Sequence, residues 1–248
     1  MSARRFMIES HRVRNGQAAL DSDLFNHIVR VLRMDADDAL ILVDEKGVEH
    51  QGVIDQVQKE RVIIRVLSSL TPTDAPGDGP QLTICQALPK GEKTELILQK
   101  CTELGAHDVV LFGGRRSVPR IREEQLAAKL QRWSKITAEA SRQCGRRDIP
   151  SVSWFPDAAS AANSSTHDLR LLLWEEEQSR NLKSALADLP RPVSAMVAIG
   201  PEGGFDPLEI RCFMDQGFLP VTLGKRILRT ETAALAITAI LQYIWETI

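Results

Sequence analysis

The chain has 248 residues, 43% of them hydrophobic, which is enough for one large or two small domains with apolar cores. Its 31 Lys and Arg nearly balance 33 Asp and Glu, so no field of the whole molecule recruits a polyanion, and any such ligand needs a local patch. The four cysteines are scattered without a C-x-x-C pair, which argues against zinc or a disulfide framework and predicts reduced, mostly buried thiols. No stretch approaches the ~20 apolar residues that span a bilayer, so we expect a cytoplasmic protein that contacts no membrane.

Residues 1–70 predict a small β domain. Short runs of alternating polar and apolar residues at 39–43, 52–57 and 61–67 predict strands, and a single helix is expected at 22–32. A small antiparallel barrel is the natural way for short strands to protect their edges.

A linker is expected at residues 71–80, where the sequence TPTDAPGDGP has three prolines and almost no apolar side chain. It divides the chain into a β domain at 1–70 and a second domain at 81–248.

The second domain alternates apolar strands with longer helices. Strands are predicted at 82–88, 109–112, 169–174, 195–199 and 220–223. Helices are predicted at 92–104, 123–145, 207–214 and 231–245. This order predicts an α/β domain with a mostly parallel sheet.

The segment IGPEGGF at 199–205 joins a predicted strand to a predicted helix. Glycines at the carboxyl end of a strand let the backbone approach a ligand closely. The segment matches neither a dinucleotide fingerprint nor a phosphate loop, and an ordinary tight turn explains it equally well. Asp206 also has the position of a helix N-cap, which favours the structural interpretation.

A second segment, LGKRILRTETA at 223–233, holds three cations and two hydroxyls between a strand and the last helix. Thr230 or Thr232 could simply cap that helix. However, a third predicted strand ends at 174 in WEEE, and strand ends of one sheet face a shared crevice. The joint occurrence favours a small-molecule pocket over three independent turns.

Arginine dominates the local basic groups, and its guanidinium binds phosphate bidentately and stacks on bases. His27, Arg30 and Arg33 follow at three-residue steps, which on a helix places them on one side and predicts a path for RNA. A solvated face is the alternative, and for His27 alone a hydrogen-bonded structural role is the better interpretation.

As a set, these motifs resemble the RsmE family of SPOUT-class bacterial methyltransferases, which act on uridine N3 in 16S ribosomal RNA. The resemblance covers essentially the whole chain in the family's order, through RRF at 4–6, HIVRVLR at 27–33, KGEK at 90–93, QKCTELG at 99–105, IGPEGG at 199–204, LG at 223–224 and RTETA at 229–233.

The resemblance implies a PUA-like N-terminal β-barrel domain and a SPOUT domain with a C-terminal trefoil knot that binds S-adenosylmethionine (SAM). It also implies a homodimer whose partner is 16S rRNA or the small ribosomal subunit, without a metal. The implied cofactor-binding residues are Leu173, Trp174, Glu175, Ile199, Gly200, Gly203, Leu223, Gly224, Ile227, Leu228, Thr232 and Ala233. The candidate RNA-binding residues are Arg4, Arg5, His27, Arg30, Arg33, Arg116, Arg142 and Arg146.

The chemistry of this substrate narrows the catalytic candidates. Uridine N3–H is a weak acid, so methylation needs either a base or a cation that favours the uridine anion. Arg229 suits the second role and ranks first, while Glu202 and Glu231 are candidate bases that could instead cap a helix or pair with Arg229. The rival interpretation is a non-catalytic RNA-binding or ribosome-assembly factor with the same fold.

Overall fold

The computed structural model describes residues 4–45, 47–70, 79–146, 148–187 and 189–247. The chain divides into two compact units, one of Met1–Ala75 with Arg142–Asp148 and the other of Pro76–Ser141 with Ile149–Ile248. Most of the expected linker, residues 71–78, lies outside the described residues. Within the described part of the chain no helix combines the length and apolarity needed to cross a membrane.

The first unit is built on a six-stranded sheet in the order β1-β4-β5-β6-β3-β2. The strands are β1 Arg4–Met7, β2 Val13–Arg14, β3 Gln17–Asp21, β4 Ala39–Val43, β5 Glu49–Val57 and β6 Arg61–Leu70. Pairing is antiparallel except between β1 and β4. Alternate residues such as Leu40 and Leu42 point into the core of this unit, as the period of two predicts.

The predicted helix at 22–32 is in fact two turns of different geometry. Helix α1, Ser22–Phe25, continues into a π-helix over Asn26–Val31. Arg33 follows in the left-handed region with φ of 53°. The rule that residues three apart share a face belongs to the α-helix, and a π-helix has a wider turn. The inference of one stripe through His27, Arg30 and Arg33 is therefore wrong, although all three side chains are exposed.

The second unit has an all-parallel six-stranded sheet in the order β12-β10-β11-β7-β8-β9. Its strands are β7 Gln81–Ala87, β8 Asp108–Phe112, β9 Ser151–Phe155, β10 Leu169–Leu173, β11 Ser194–Ile199 and β12 Leu219–Val221. Its helices are α2 Lys93–Glu103, α3 Glu123–Cys144, α4 Ala158–Asn163, α5 Leu182–Leu186, α6 Pro207–Asp215 and α7 Thr230–Ile244. The predicted α/β domain with a parallel sheet is confirmed.

Register brings three strand ends together at one edge of this sheet. Leu173 at the end of β10 pairs with Ile199 of β11 on one side and with Val221 of β12 on the other. All three residues belong to the same buried core. The loops that follow these strands therefore start side by side, which is where open parallel sheets bind ligands.

The N-terminal caps of α6 and α7 test whether residues of the loops before them have the capping roles that the sequence suggests. The Asp206 carboxylate accepts a hydrogen bond from Leu208 N at 3.0 Å, and Glu209 accepts one from Asp206 N at 2.9 Å, which forms a capping box and confirms the predicted N-cap. Helix α7, by contrast, has Arg229 as its N-cap without a side-chain cap bond. The expectation that Thr230 or Thr232 caps it is wrong, because the Thr230 hydroxyl is used elsewhere.

All four cysteines are free thiols, as expected. Cys85 and Cys101 are buried, and burial raises the pKa of both thiols. Cys144 is exposed and Cys212 half-buried, so the expectation of mostly buried thiols holds for half of them.

Candidate functional site

A cavity of about 890 Å³ lies in the second unit at the carboxyl ends of β10, β11 and β12. Its size falls in the range of small-molecule sites. Most of its wall comes from the loops that follow these three strands, with Lys93 of α2 and Ala233 of α7 completing it. The pocket predicted at a shared crevice is therefore present.

Ten of the twelve residues expected at a cofactor line this cavity: Leu173, Trp174, Glu175, Ile199, Gly200, Leu223, Gly224, Ile227, Leu228 and Ala233. The candidate catalytic residues Arg229 and Glu202 line it as well. Gly203, Thr232 and Glu231 do not.

Gly203 faces away from the cavity because it packs on the arginine-rich loop after β8. A Cβ at Gly203 would lie 3.2 Å from Arg116 Cβ, and the Gly203 carbonyl accepts a hydrogen bond from Arg116 Nη1 at 3.0 Å. Its neighbour Gly204 lines the cavity instead, with φ of 68°, and a Cβ there would meet the Glu175 carboxylate. The sequence gives no means to tell the two glycines apart, since only the backbone conformation separates them.

The cavity combines apolar side chains with accessible backbone. Leu173 and Ile199 form part of its floor, and Ile227 is 83% exposed. Gly224 has φ of 129°, and a Cβ at this position would meet no atom within 4 Å. The loop therefore leaves open space beside its backbone, where a flat apolar group can lie against Ile227 and still reach backbone donors and acceptors.

A buried hydrogen-bond cluster joins β7, the loop after β11 and the start of α7. The Thr230 hydroxyl donates to the Gly200 carbonyl at 2.7 Å and accepts from Gln86 Nε2 at 2.8 Å. Gln86 Nε2 also donates to the Ala87 carbonyl at 2.8 Å and, at 3.3 Å, to the Gly200 carbonyl. We name these three residues, Gln86, Gly200 and Thr230, the strand-end cluster. Sequence reasoning missed Gln86, whose signal was an amide near the end of a mostly apolar strand.

Lys93 bridges the two carboxylates that were candidate bases. Its Nζ lies 2.9 Å from Glu202 Oε1 and 3.2 Å from Glu231 Oε2. The backbone N–H of Lys90 also donates to Glu202 at 3.1 Å. Partial burial would raise the pKa of Glu202, but the hydrogen bonds from Lys93 and the backbone outweigh it and hold the pKa below its usual value. Glu202 is therefore an ionised, paired group and a poor proton acceptor.

Arg229 differs from these neighbours. It is exposed at the cavity, and among the described residues no carboxylate lies within 4.0 Å of its guanidinium. A permanent cation that lines the cavity and has no counter-ion among the described residues is placed to interact with a ligand.

Several of the candidate RNA-binding arginines are engaged by the protein. The Arg5 guanidinium donates to the buried Glu49 carboxylate at 2.8 Å and to the Gly145 carbonyl at 3.0 Å. Arg4 donates to the Leu32 carbonyl at 3.1 Å. Arg146 forms an ion pair with Asp148. These contacts occupy guanidinium N–H groups that the sequence analysis expected to bind RNA phosphates.

The remaining candidates are more accessible. Arg30 is exposed and its guanidinium lies 5.8 Å from the Phe25 ring, while Arg33 and Arg142 are exposed. His27 makes an edge-to-face contact with Phe6 at 6.0 Å. Arg142 and Arg146 belong to the first unit, whereas Arg116 belongs to the second.

Comparison with known proteins identifies the family to which this chain belongs. The RNA methyltransferase domain family matches residues 78–242, and the RNA methyltransferase PUA domain family matches residues 20–67. The ribosomal RNA small subunit methyltransferase E of Bacillus subtilis is 33% identical over 224 residues, which are 88% of this chain and 86% of that protein. The enzyme of the same name from Mycobacterium bovis is 30% identical and covers 94% of this chain and 89% of its own.

Solved structures agree. The ribosomal RNA small subunit methyltransferase E of Neisseria gonorrhoeae, bound to SAM, has a TM-score of 0.80 at 28% identity, with 98% of each chain covered. A Legionella pneumophila protein solved with SAM as bound cofactor has a TM-score of 0.81 at 30% identity, again with 98% of each chain covered.

The fold and the matched domains thus define an RNA methyltransferase with an N-terminal PUA domain. Among such proteins, the chain belongs to the ribosomal RNA small subunit methyltransferase E family. The resemblance to the RsmE family is confirmed, as is the fold class of an α/β domain with a parallel sheet preceded by a PUA-like domain.

Proposed function

We propose that this protein transfers the methyl group of SAM to N3 of a uridine in 16S ribosomal RNA. The observation that carries the proposal is the cavity at three adjoining strand ends, with Arg229 on its wall and no carboxylate of the described residues within 4.0 Å of the guanidinium. Family membership supports the same reaction, because the relatives are ribosomal RNA small subunit methyltransferases and one of them was solved with SAM.

The cavity fits SAM by its chemistry. Apolar residues such as Leu173, Ile199 and Ile227 suit the adenine ring, and the open backbone at Gly224 suits its polar edge. Glu175 supplies a carboxylate for the cationic groups of this ligand. When bound, SAM supplies a methyl group activated by its sulfonium.

The chain's own residues then act on the uridine. The N3–H bond breaks as the N3–methyl bond forms and the sulfur–methyl bond breaks, so negative charge passes through N3 before the product is neutral. Arg229 stabilises this charge, and the proton leaves to solvent water, since Glu202 is already paired with Lys93. In-line transfer needs no metal, and orientation supplies much of the rate.

Substitution of Arg229 tests this assignment. Removing a donor aimed at developing charge costs on the order of a hundredfold in turnover, so Arg229→Ala should lose at least that much, while Arg229→Lys keeps the charge and part of the activity. Single-turnover transfer of labelled methyl to unmodified small subunits, with saturating SAM, isolates the step from binding. Digestion and mass spectrometry of the RNA identify N3-methyluridine.

Arg211→Ala is the matched control, because Arg211 is an exposed arginine of α6 outside the cavity. A near wild-type rate for folded Arg229→Ala would eliminate the role of Arg229. Calorimetry separates the rival class, because a non-catalytic RNA-binding or assembly factor would bind RNA but not SAM.

We further propose that the protein is a homodimer. One face of α7 exposes Ile240, Tyr243 and Ile244, at three- and four-residue spacing, to 39%, 76% and 48%. An apolar stripe of this kind favours burial against another protein surface. Light scattering after size exclusion tests the proposal, and a monomeric mass at micromolar concentration would contradict it.

A further inference from the structure

Lys93 connects the start of α2 to the two segments that carry Glu202 and Glu231. Its side chain is 30% exposed, and the two carboxylates are 33% and 14% exposed. One cation thus faces two carboxylates in a half-buried wall of the cavity, where charges are screened less than on an open surface.

The same wall holds Arg229, two residues before Glu231 in the chain. Its guanidinium has no carboxylate within 4.0 Å in the described part of the chain. Guanidinium groups form bidentate pairs with carboxylates readily, so Glu202 on this wall and Glu231 at the start of α7 are potential partners of Arg229. Lys93 already engages both of them.

We propose that Lys93 is a positioning residue for methyl transfer: by pairing with Glu202 and Glu231 it keeps the Arg229 guanidinium free for the reacting uridine. The inference rests on the proposed function, because it concerns the group assigned there to the uridine anion. In this proposal Glu202 and Glu231 act as ion-pair partners of Lys93 and not as general bases.

A series at position 93 tests the proposal. Lys93→Met removes the cation that pairs with both carboxylates, so that they can pair with Arg229 instead. We therefore expect the single-turnover rate to fall about tenfold or more. Lys93→Arg keeps the charge and should retain most of the activity. Lys93→Gln keeps a donor without the charge and should fall between them, and it replaces Lys93→Met if that variant does not fold.

The decisive comparison also replaces the two carboxylates with neutral amides. In Lys93→Met combined with Glu202→Gln and Glu231→Gln, no carboxylate of this cluster is left to engage Arg229, so most of the lost rate should return. A merely structural role of Lys93 predicts the opposite, because each substitution would remove a further contact. A triple variant as slow as Lys93→Met would overturn the proposal, and so would an unchanged rate in Lys93→Met.

Lys100→Met is the matched control, because Lys100 lies on the same helix, pairs with Glu103 at 2.7 Å and does not line the cavity. A measurement without cofactor or RNA adds an independent readout: the carboxyl ¹³C resonance of Glu202, followed by NMR against pH. Lys93 holds the pKa of Glu202 low, so that pKa should rise in Lys93→Met and stay unchanged in Lys100→Met.

The two proposals fail in different ways. Absence of methylation by the wild-type protein would contradict the proposed function, whatever the NMR titration gives. Normal methylation with an unmoved Glu202 titration in Lys93→Met would contradict the role of Lys93 alone.

Discussion

Thr230→Val is the sharpest perturbation of the strand-end cluster. Valine is close to threonine in volume, so the substitution removes the hydroxyl with little change in packing. Two hydrogen bonds disappear, the one donated to Gly200 at 2.7 Å and the one accepted from Gln86 at 2.8 Å. Both lie where the loop after β11 meets the first turn of α7, and Gly200 and Thr230 line the cavity.

The expected cost follows from the partners that remain. Each hydrogen bond contributes about 1 kcal/mol net, and a buried group left without a partner costs about 1–3 kcal/mol. Gln86 Nε2 keeps the Ala87 carbonyl at 2.8 Å and the Gly200 carbonyl at 3.3 Å, so no group of the cluster becomes fully unsatisfied. We therefore expect a loss near 2 kcal/mol, or roughly 4–8 °C in Tm for a chain of this size.

Thr238→Val is the control on the same helix. Its buried hydroxyl donates to the Ala234 carbonyl at 2.7 Å, within a helical turn, so its loss should cost under about 1 kcal/mol. Denaturant unfolding and SAM calorimetry measure both variants. Thr230→Val should weaken SAM binding and Thr238→Val should not. If the two variants lose equal stability and bind SAM equally well, the strand-end cluster does not shape the cavity.

Two further predictions follow from the geometry. Gly204→Ala should abolish SAM binding or fold poorly, because the φ of 68° at this position and the Glu175 carboxylate both disfavour a Cβ. Gly203→Ala is the control: its Cβ meets only Arg116, and calorimetry should show an unchanged affinity for SAM. Arg30→Ala with Arg33→Ala should weaken RNA binding and flatten its salt dependence through lost phosphate contacts, with SAM affinity intact; unchanged RNA affinity at moderate salt would make this surface a solvated face.

The elements of the second unit were predictable because its helices and parallel strands have strong patterns. Five strands and four helices were placed within a few residues of their observed positions. Strand β9, Ser151–Phe155, was missed because its serines interrupt the apolar run, and the short helices α4 and α5 were missed as well. In the first unit β1, β2 and β3 were missed, since two to five residues with mixed polarity give little periodicity.

The limits of sequence reasoning at the site have a physical cause. Glycines at strand ends identified the loops, yet backbone conformation decided that Gly204 and not Gly203 faces the cavity. Gln86 and Lys93 lie more than a hundred residues from the loops they hold, and no local pattern reports such contacts. The trefoil knot stays a prediction of the family resemblance, because threading leaves no mark on periodicity.

The charges around the cavity show why geometry, and not residue type, assigns the chemistry. Glu202 and Glu231 have the functional groups of a general base, but Lys93 pairs with both of them, and Glu202, whose pKa is held low, accepts a proton poorly. Arg229 cannot accept a proton at all, and in the described residues no carboxylate lies within 4.0 Å of its guanidinium; Lys225 and Arg226 line the same cavity and are likewise without such a partner. A site so arranged favours an anion of the substrate by electrostatic stabilisation and leaves the proton to water.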